Sequence, residues 1–150
     1  MKTNPAYITE LIQFVNRSPF PMHLPFRLVS IEPDRARIEL EIAASHLQPF
    51  GMVHGGVIAT LIDTATFWAA FLNLPQEYGL VNVDLKLNYL RSPDSGKLFA
   101  LGRCLKNGRT LSYAEASVTD AQGTLLAHGT STLMVMPGKG LDIGVPKFLD

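Results

Sequence analysis

The sequence predicts an α+β fold in which an antiparallel sheet wraps around one central helix. Three observations carry this. Val57–Leu72 has the length of a helix and is apolar in nearly every direction, as a buried helix is. Several shorter runs alternate apolar and polar residues with period two, as half-buried strands do. Tight-turn signals join those runs, among them Asn107-Gly108 and Asp120-Ala121-Gln122-Gly123.

The elements follow in order. Asn4-Pro5 reads as an N-cap with proline at the first helical position. Ile8, Leu11, Ile12 and Val15 then recur at helical spacing, giving a short amphipathic helix that ends near Ser18-Pro19. His23–Pro25 is an irregular connector. A hairpin follows. Phe26, Leu28 and Ser30 alternate with Arg27, Val29 and Ile31, and after Glu32-Pro33-Asp34 the residues Ala36, Ile38, Leu40 and Ile42 alternate with charged neighbours. The loop 45–56 leads into the apolar helix, which Asn73-Leu74-Pro75 ends. Four strands complete the order: Val83–Tyr89, Leu98–Leu105, Leu111–Thr119 and Leu125–Met136. The expected organisation is one domain over residues 1–150, with an N-terminal helical segment at 1–20 and a peripheral tail at 137–150.

Composition narrows the function classes. The chain has 150 residues, 13 basic and 13 acidic, 47% hydrophobic residues and one cysteine. Zero net charge argues against a nucleic-acid binder. One cysteine forms no internal disulfide, so a reducing compartment, the cytoplasm, is expected. The N-terminus lacks a signal-peptide apolar core, and the most apolar stretch is broken by Asp63, Asn73 and several threonines, so no membrane association is expected. The four histidines lack metal-ligand spacing, and there is no G-x-S-x-G, G-x-G-x-x-G or P-loop, so neither a metal nor a cofactor is expected. A helix apolar all round is more than one small sheet can cover, which predicts a second copy of the chain against it.

Asp63 is the only charged residue between Gly55 and Pro75. Burying a carboxylate costs several kcal/mol unless it is paired, hydrogen-bonded or protonated. It either caps a neighbouring loop or meets a partner, or it does chemistry. His54-Gly55-Gly56 stands at the helix N-terminus, where free backbone N–H groups and the helix dipole favour an anion or polarise a carbonyl. Asp63 lies two turns on, roughly 12 Å along the axis at 1.5 Å per residue. One chain therefore does not bring its own Asp63 to its own helix start, whereas an antiparallel partner helix does.

The run Gly51-Met52-Val53-His54-Gly55-Gly56-Val57-Ile58-Ala59-Thr60-Leu61-Ile62-Asp63 resembles the signature of hotdog-fold acyl-CoA thioesterases. The match is to the phenylacetate-pathway (PaaI-like) branch that includes the thioesterase-superfamily-member-2 type. The resemblance runs from about Leu24 to Met136. It includes Val83–Pro93 and the turn Lys106-Asn107-Gly108-Arg109-Thr110, which is similar to the family's basic-x-G-basic-T turn. It implies a hotdog fold with a six-stranded antiparallel sheet. It also implies an acyl-CoA thioesterase working as a homodimer, paired further into a dimer of dimers, on an aryl or medium- to long-chain acyl group. Coenzyme A is then part of the substrate. Asp63 would be the nucleophile or the base that activates water, and the Gly55 N–H would polarise the carbonyl. His54 orients the loop and Gly56 gives room. Gln48 stands where the family often has asparagine, and Asn82 where it often has serine or threonine. Tyr89, Asn107, Gly108 and Thr110 fall on family substrate-contact segments. Arg91, Lys106 and Arg109 would meet the coenzyme A phosphates, within a stretch, Asp84–Arg109, holding six basic residues against two acidic. Two other readings compete: a hotdog acyl-thioester dehydratase, which would need a histidine–carboxylate pair, and an acyl-CoA-binding module without turnover.

Overall fold

The computed structural model describes residues 2–149. Its order is β1 (Lys2–Thr3), α1 (Pro5–Asn16), α2 (Pro19–His23), β2 (Arg27–Glu32), β3 (Arg35–Glu41), a 3₁₀ turn (Ala44–His46) and α3 (Gly55–Phe71). Then follow β4 (Tyr78–Tyr89), β5 (Lys97–Asn107), β6 (Leu111–Thr119), β7 (Leu125–Pro137) and β8 (Phe148–Leu149). Six strands form one antiparallel sheet in the order β2-β3-β5-β6-β7-β4, and it curls around α3. None of the described helices is long and apolar enough to cross a membrane.

The helix begins and ends for identifiable reasons. Asn4 caps α1, its Oδ1 accepting from the Ala6 N–H at 3.0 Å with Pro5 at the first position. His54 caps α3, and past its far end Leu74 is buried. Val57, Ile58, Leu61, Ile62, Ala65, Ala69 and Ala70 are buried, and Leu98, Ala100, Ala114, Ala116 and Leu133 of the sheet complete the core. Small residues on the strands let sheet and helix approach closely. A Cβ on Gly102 would lie 2.1 Å from the Ala65 carbonyl oxygen, so only glycine fits there.

One stripe of α3 is not fully covered: Ala59 and Thr60, Asp63 and Thr64, Phe67 and Trp68 are half-buried. The helix is thus buried on three sides rather than all round. The N-terminal segment supplies part of the cover. It holds a second short helix, α2, over Pro19–His23, a stretch that the sequence pattern assigns to no element before the connector His23–Pro25, and Val15, Phe20 and Phe26 lie beside Phe67 and Trp68.

Two strands depart from simple alternation because each carries a β-bulge. In β2 the register shifts between Leu28 and Ser30, so Ile31 turns inward and Ser30 outward. In β4 the shift lies between Asn82 and Asp84. Leu85 and Leu87 keep the face towards α3, Val83 is the extra residue, and Asn82 swings onto the inner face beside Leu133. The Asn107-Gly108 hairpin is a three-residue loop, Gly108–Thr110. Glycine is needed there because a Cβ would lie 2.3 Å from the Leu111 carbonyl oxygen.

The tail, of which residues 137–149 are described, runs along the surface, yet it inserts one side chain fully. Lys147 is buried, and its ammonium donates to the Phe71 and Leu74 carbonyls at 2.7 and 2.8 Å, satisfying oxygens at the end of α3. β8 then pairs with β1, and the Asn4 N–H donates to the Lys147 carbonyl.

Candidate active site

Asp63 is half-buried, and burial raises its pKa above the usual aspartate value. Its Oδ1 accepts from Asn82 Nδ2 at 2.8 Å. The β4 bulge makes this contact possible: plain alternation back from Leu87 and Leu85 would put Asn82 on the outer face. Behind the pair lie two buried hydroxyls that sequence reasoning missed. Thr66 Oγ1 is 2.8 Å from Ser131 Oγ and bonds the Ile62 and Asp63 carbonyls at 2.8 and 3.0 Å. Ser131 Oγ is 3.4 Å from Asn82 Nδ2. Thr66 stands three residues past Asp63 on the same helix face, which was the available signal.

The second cluster surrounds the start of α3. His54 Nδ1 accepts from the Gly56 N–H at 2.8 Å, and the His54 carbonyl accepts from the Val57 N–H at 2.9 Å. The Gly55 N–H has no acceptor among the described residues. A Cβ on Gly56 would sit 2.9 Å from His54 Nδ1, so glycine preserves the cap. Tyr89 lies over Gly55, and its hydroxyl donates to the Gly55 carbonyl at 3.1 Å. The preceding loop is fixed by buried His46, whose Nδ1 accepts from the Ala43 N–H at 2.9 Å and whose carbonyl accepts from the His54 N–H at 2.9 Å. Gln48 turns into this loop, its Oε1 accepting from the Phe50 N–H, and Gly51 takes φ +83°.

These two clusters stand at opposite ends of the sheet. Cross-strand pairing sets Asn107, Ser112, Leu133 and Asn82 in one row, so Asp63, Asn82 and the turn 106–110 share an end. Tyr89 pairs with Ala127 at the other end, where the Leu90 and Arg91 N–H groups donate to the Leu126 carbonyl. Arg91 is therefore about 30 Å from the level of Val81, at roughly 3.3 Å per residue. One chain does not gather Arg91 with Lys106 and Arg109, all three of which are exposed. Nor is every basic residue of this stretch free. Lys97 bridges Glu39 at 2.7 Å and Arg103 bridges Glu115 at 2.8 Å, which halves the local excess. Asn107 serves the turn, donating to Asp34 at 3.0 Å and accepting from Ser112 at 3.1 Å.

A free amide at a helix start and a half-buried carboxylate are the two groups needed to polarise and attack a carbonyl, and one chain holds them two turns apart. Residues 50–127 match the thioesterase superfamily model. The chain belongs to the thioesterase superfamily. This thioesterase is 31% identical over 107 residues to human acyl-coenzyme A thioesterase 13, covering 70% of this chain and 76% of that one. It is 28% identical over 108 residues to a 1,4-dihydroxy-2-naphthoyl-CoA hydrolase of Listeria monocytogenes, covering 72% and 88%. Among solved structures it is similar to a thioesterase from Haemophilus influenzae, with a TM-score of 0.79 and 26% identity, over 87% of this chain and 90% of that one. The fold is the hotdog fold, and the general chemistry is thioester hydrolysis.

Proposed function

We propose that this thioesterase hydrolyses acyl-CoA to the free acid and coenzyme A at a site completed by a second copy of the chain. The observation that carries this reading is the Asp63–Asn82 pair, a half-buried carboxylate held by one oxygen at 2.8 Å. Its other oxygen is free to take a proton from water. The water oxygen then attacks the thioester carbonyl, and the oxyanion lies against the Gly55 N–H. Collapse breaks the C–S bond, and the departing thiolate takes the proton from Asp63. No metal or redox cofactor enters this scheme.

Asp63 and Gly55 of one chain are about 12 Å apart along the helix. The edge of the sheet offers the solution. β4 has 12 residues, is one of the two terminal strands, and exposes Val81, Val83 and Tyr89. A long apolar edge is a template for another strand. Antiparallel pairing of two β4 strands about an axis near Leu85 and Lys86 sets each Asn82 across from the other copy's Tyr89. That arrangement joins Asp63 of one copy to Gly55 of the other, and carries Arg91 towards the other copy's Lys106 and Arg109, where the phosphates of coenzyme A would lie. A further pairing into a dimer of dimers belongs to the same reading. With one cysteine the chain suits a reducing compartment, and we place it in the cytoplasm.

Thiol release from a panel of acyl-CoAs tests the reading, with Asp63→Asn beside the wild type. Release by the wild type, lost in the variant while acyl-CoA still binds, supports it. Binding without thiol release would instead support a carrier module. The dehydratase alternative finds no histidine–carboxylate pair at the helix start, where His54 Nδ1 is committed to the cap, and the His128–Glu115 pair at 3.1 Å lies across β6 and β7 instead.

A further inference from the structure

Among the described residues Asp34 is the one non-glycine residue in the left-handed region, at φ 65°. It follows Pro33 in the two-residue turn that joins β2 to β3. A positive φ after proline suits glycine or asparagine, and glycine takes it without steric cost. Aspartate adds something else. Its Oδ1 accepts from Asn73 Nδ2 at 2.6 Å and from Asn107 Nδ2 at 3.0 Å, and its carbonyl accepts from the Cys104 N–H at 2.9 Å. One carboxylate oxygen thus joins three segments: the β2–β3 turn, the stretch past the end of α3, and the end of β5.

A bulge on β5 makes the link possible. The pairing of β5 with β6 shifts between Cys104 and Lys106, so Leu105 is an extra residue. Plain alternation from buried Cys104 would put Asn107 on the outer face. The bulge sets it across from buried Ser112 instead, whose hydroxyl donates to Asn107 Oδ1 at 3.1 Å. Both ends of the Asn107 amide are therefore held, one by Ser112 and one by Asp34. Two backbone bonds brace the rest of the turn: the Gly108 N–H donates to the Leu111 carbonyl, and the Val135 N–H to the Thr110 carbonyl, each at 2.9 Å. Lys106 and Arg109 stand exposed on this braced turn, at the end of the sheet that holds Asp63.

We propose that Asp34 is a positioning residue for the nucleotide half of coenzyme A: by fixing Asn107 it holds Lys106 and Arg109 where the phosphates arrive. This rests on the acyl-CoA reading given above. Asp34 acts through Asn107 and makes no contact with phosphate, which its own charge repels. Charge-assisted hydrogen bonds to phosphate depend on the aim of the donors. A turn held in place beforehand loses little freedom on binding. A non-glycine residue kept in a sparsely populated conformation costs free energy, which its surroundings must offset. Asp34 also lies outside residues 50–127, so the stretch that matches the family does not supply this brace.

The test takes the acyl group turned over fastest among the CoA thioesters and presents it on coenzyme A and on pantetheine, which lacks the phosphates. Wild-type kcat/KM should be at least about tenfold higher for the CoA thioester. Asp34→Gly keeps the turn and removes the link. It should raise KM for the CoA thioester about tenfold, keep kcat within about twofold, and leave the pantetheine thioester unaffected. Asp34→Asn tolerates the same φ and keeps an Oδ1 for both amides, so it should stay within about twofold of wild type on both substrates. An unchanged KM in Asp34→Gly, or a loss shared equally by both thioesters, would overturn the proposal and leave the thioesterase reading standing. So would equal wild-type use of the two thioesters, or Asp34→Asn behaving as Asp34→Gly does. Thiol release from no CoA thioester would overturn the underlying reading as well.

Discussion

Gly55→Pro removes one N–H from the start of α3 and little else. Position 55 is the first residue of the helix, where proline is tolerated because that amide has no helical partner. Proline also demands an extended residue before it, and His54 already has φ −60° and ψ 134°. The added carbons meet the Tyr89 ring, which a Cβ would approach to 3.0 Å, and that half-exposed ring has room to shift. Gly55→Ala is the matched control, since it adds the same Cβ and keeps the N–H. Losing one donor to a developing oxyanion costs about 3–4 kcal/mol, or a factor of roughly 10²–10³ in kcat. Steady-state thiol release for wild type, Gly55→Ala and Gly55→Pro reads the effect, with circular dichroism confirming the fold. Gly55→Ala should lose less than about tenfold and Gly55→Pro at least about a hundredfold. Equal rates for the two variants would refute the assignment of the Gly55 amide as the oxyanion donor.

The other predictions draw on the same geometry. Co-expressed Asp63→Asn and Gly55→Pro chains should recover about a quarter of wild-type activity, because half of randomly formed dimers are mixed and each mixed dimer has one intact site; no recovery would place the whole site in one chain. Asp63→Asn should cost at least about a hundredfold in kcat and yet raise Tm at pH 7. Burial raises the pKa of Asp63, so the folded state holds the proton more tightly than the unfolded one and stability falls as pH climbs through the ordinary aspartate range; a Tm several degrees lower would make the carboxylate structural. Lys147→Met strands the Phe71 and Leu74 carbonyls and should lower stability by about 2 kcal/mol, or roughly 4–8 °C in Tm. Burial pushes the Lys147 amine down to about 8, so between that pH and the ordinary lysine value the unfolded chain binds more protons. The wild type should therefore gain stability over Lys147→Met as pH rises through that window, and a constant difference in chemical denaturation would argue against it.

Local chemistry made much of this molecule legible. Asn4-Pro5 starts α1, the apolar run makes α3, and the period-two segments become β3, β5, β6 and β7, because each depends on nearby residues. Asp63 and His54 could be singled out for the same reason: one is a lone charge in an apolar helix and the other is its cap. What escaped reading depends on distant residues. The bulges in β2 and β4 are visible only as a shift against the neighbouring strand, so Asn82 could be nominated by position while its inward aim could not. Thr66 and Ser131 look like ordinary hydroxyls until the sheet folds onto the helix. Lys147 looks like a tail residue, and its partners lie more than seventy positions away. In the basic stretch Lys97 and Arg103 find Glu39 and Glu115 across the sheet, which sequence spacing does not show, while Arg91, Lys106 and Arg109 stay exposed.

The proposed chemistry and the N-terminal cover beside it come from different parts of the chain, and α3 joins them. Asp63 stands within the family-matched stretch, as do Gly55, His54 and Asn82, while α1 and α2 stand outside it. The join is rigid because Asp63 and Phe67 share one face of a helix whose buried alanines pack directly on the sheet. A change in α1 or α2 can therefore alter that cover without moving the carboxylate. A change in β4 cannot be so selective, since the same strand aims Asn82, covers Gly55 with Tyr89 and presents the free sheet edge. Loss of function should thus follow changes in β4 more readily than changes in α1 or α2.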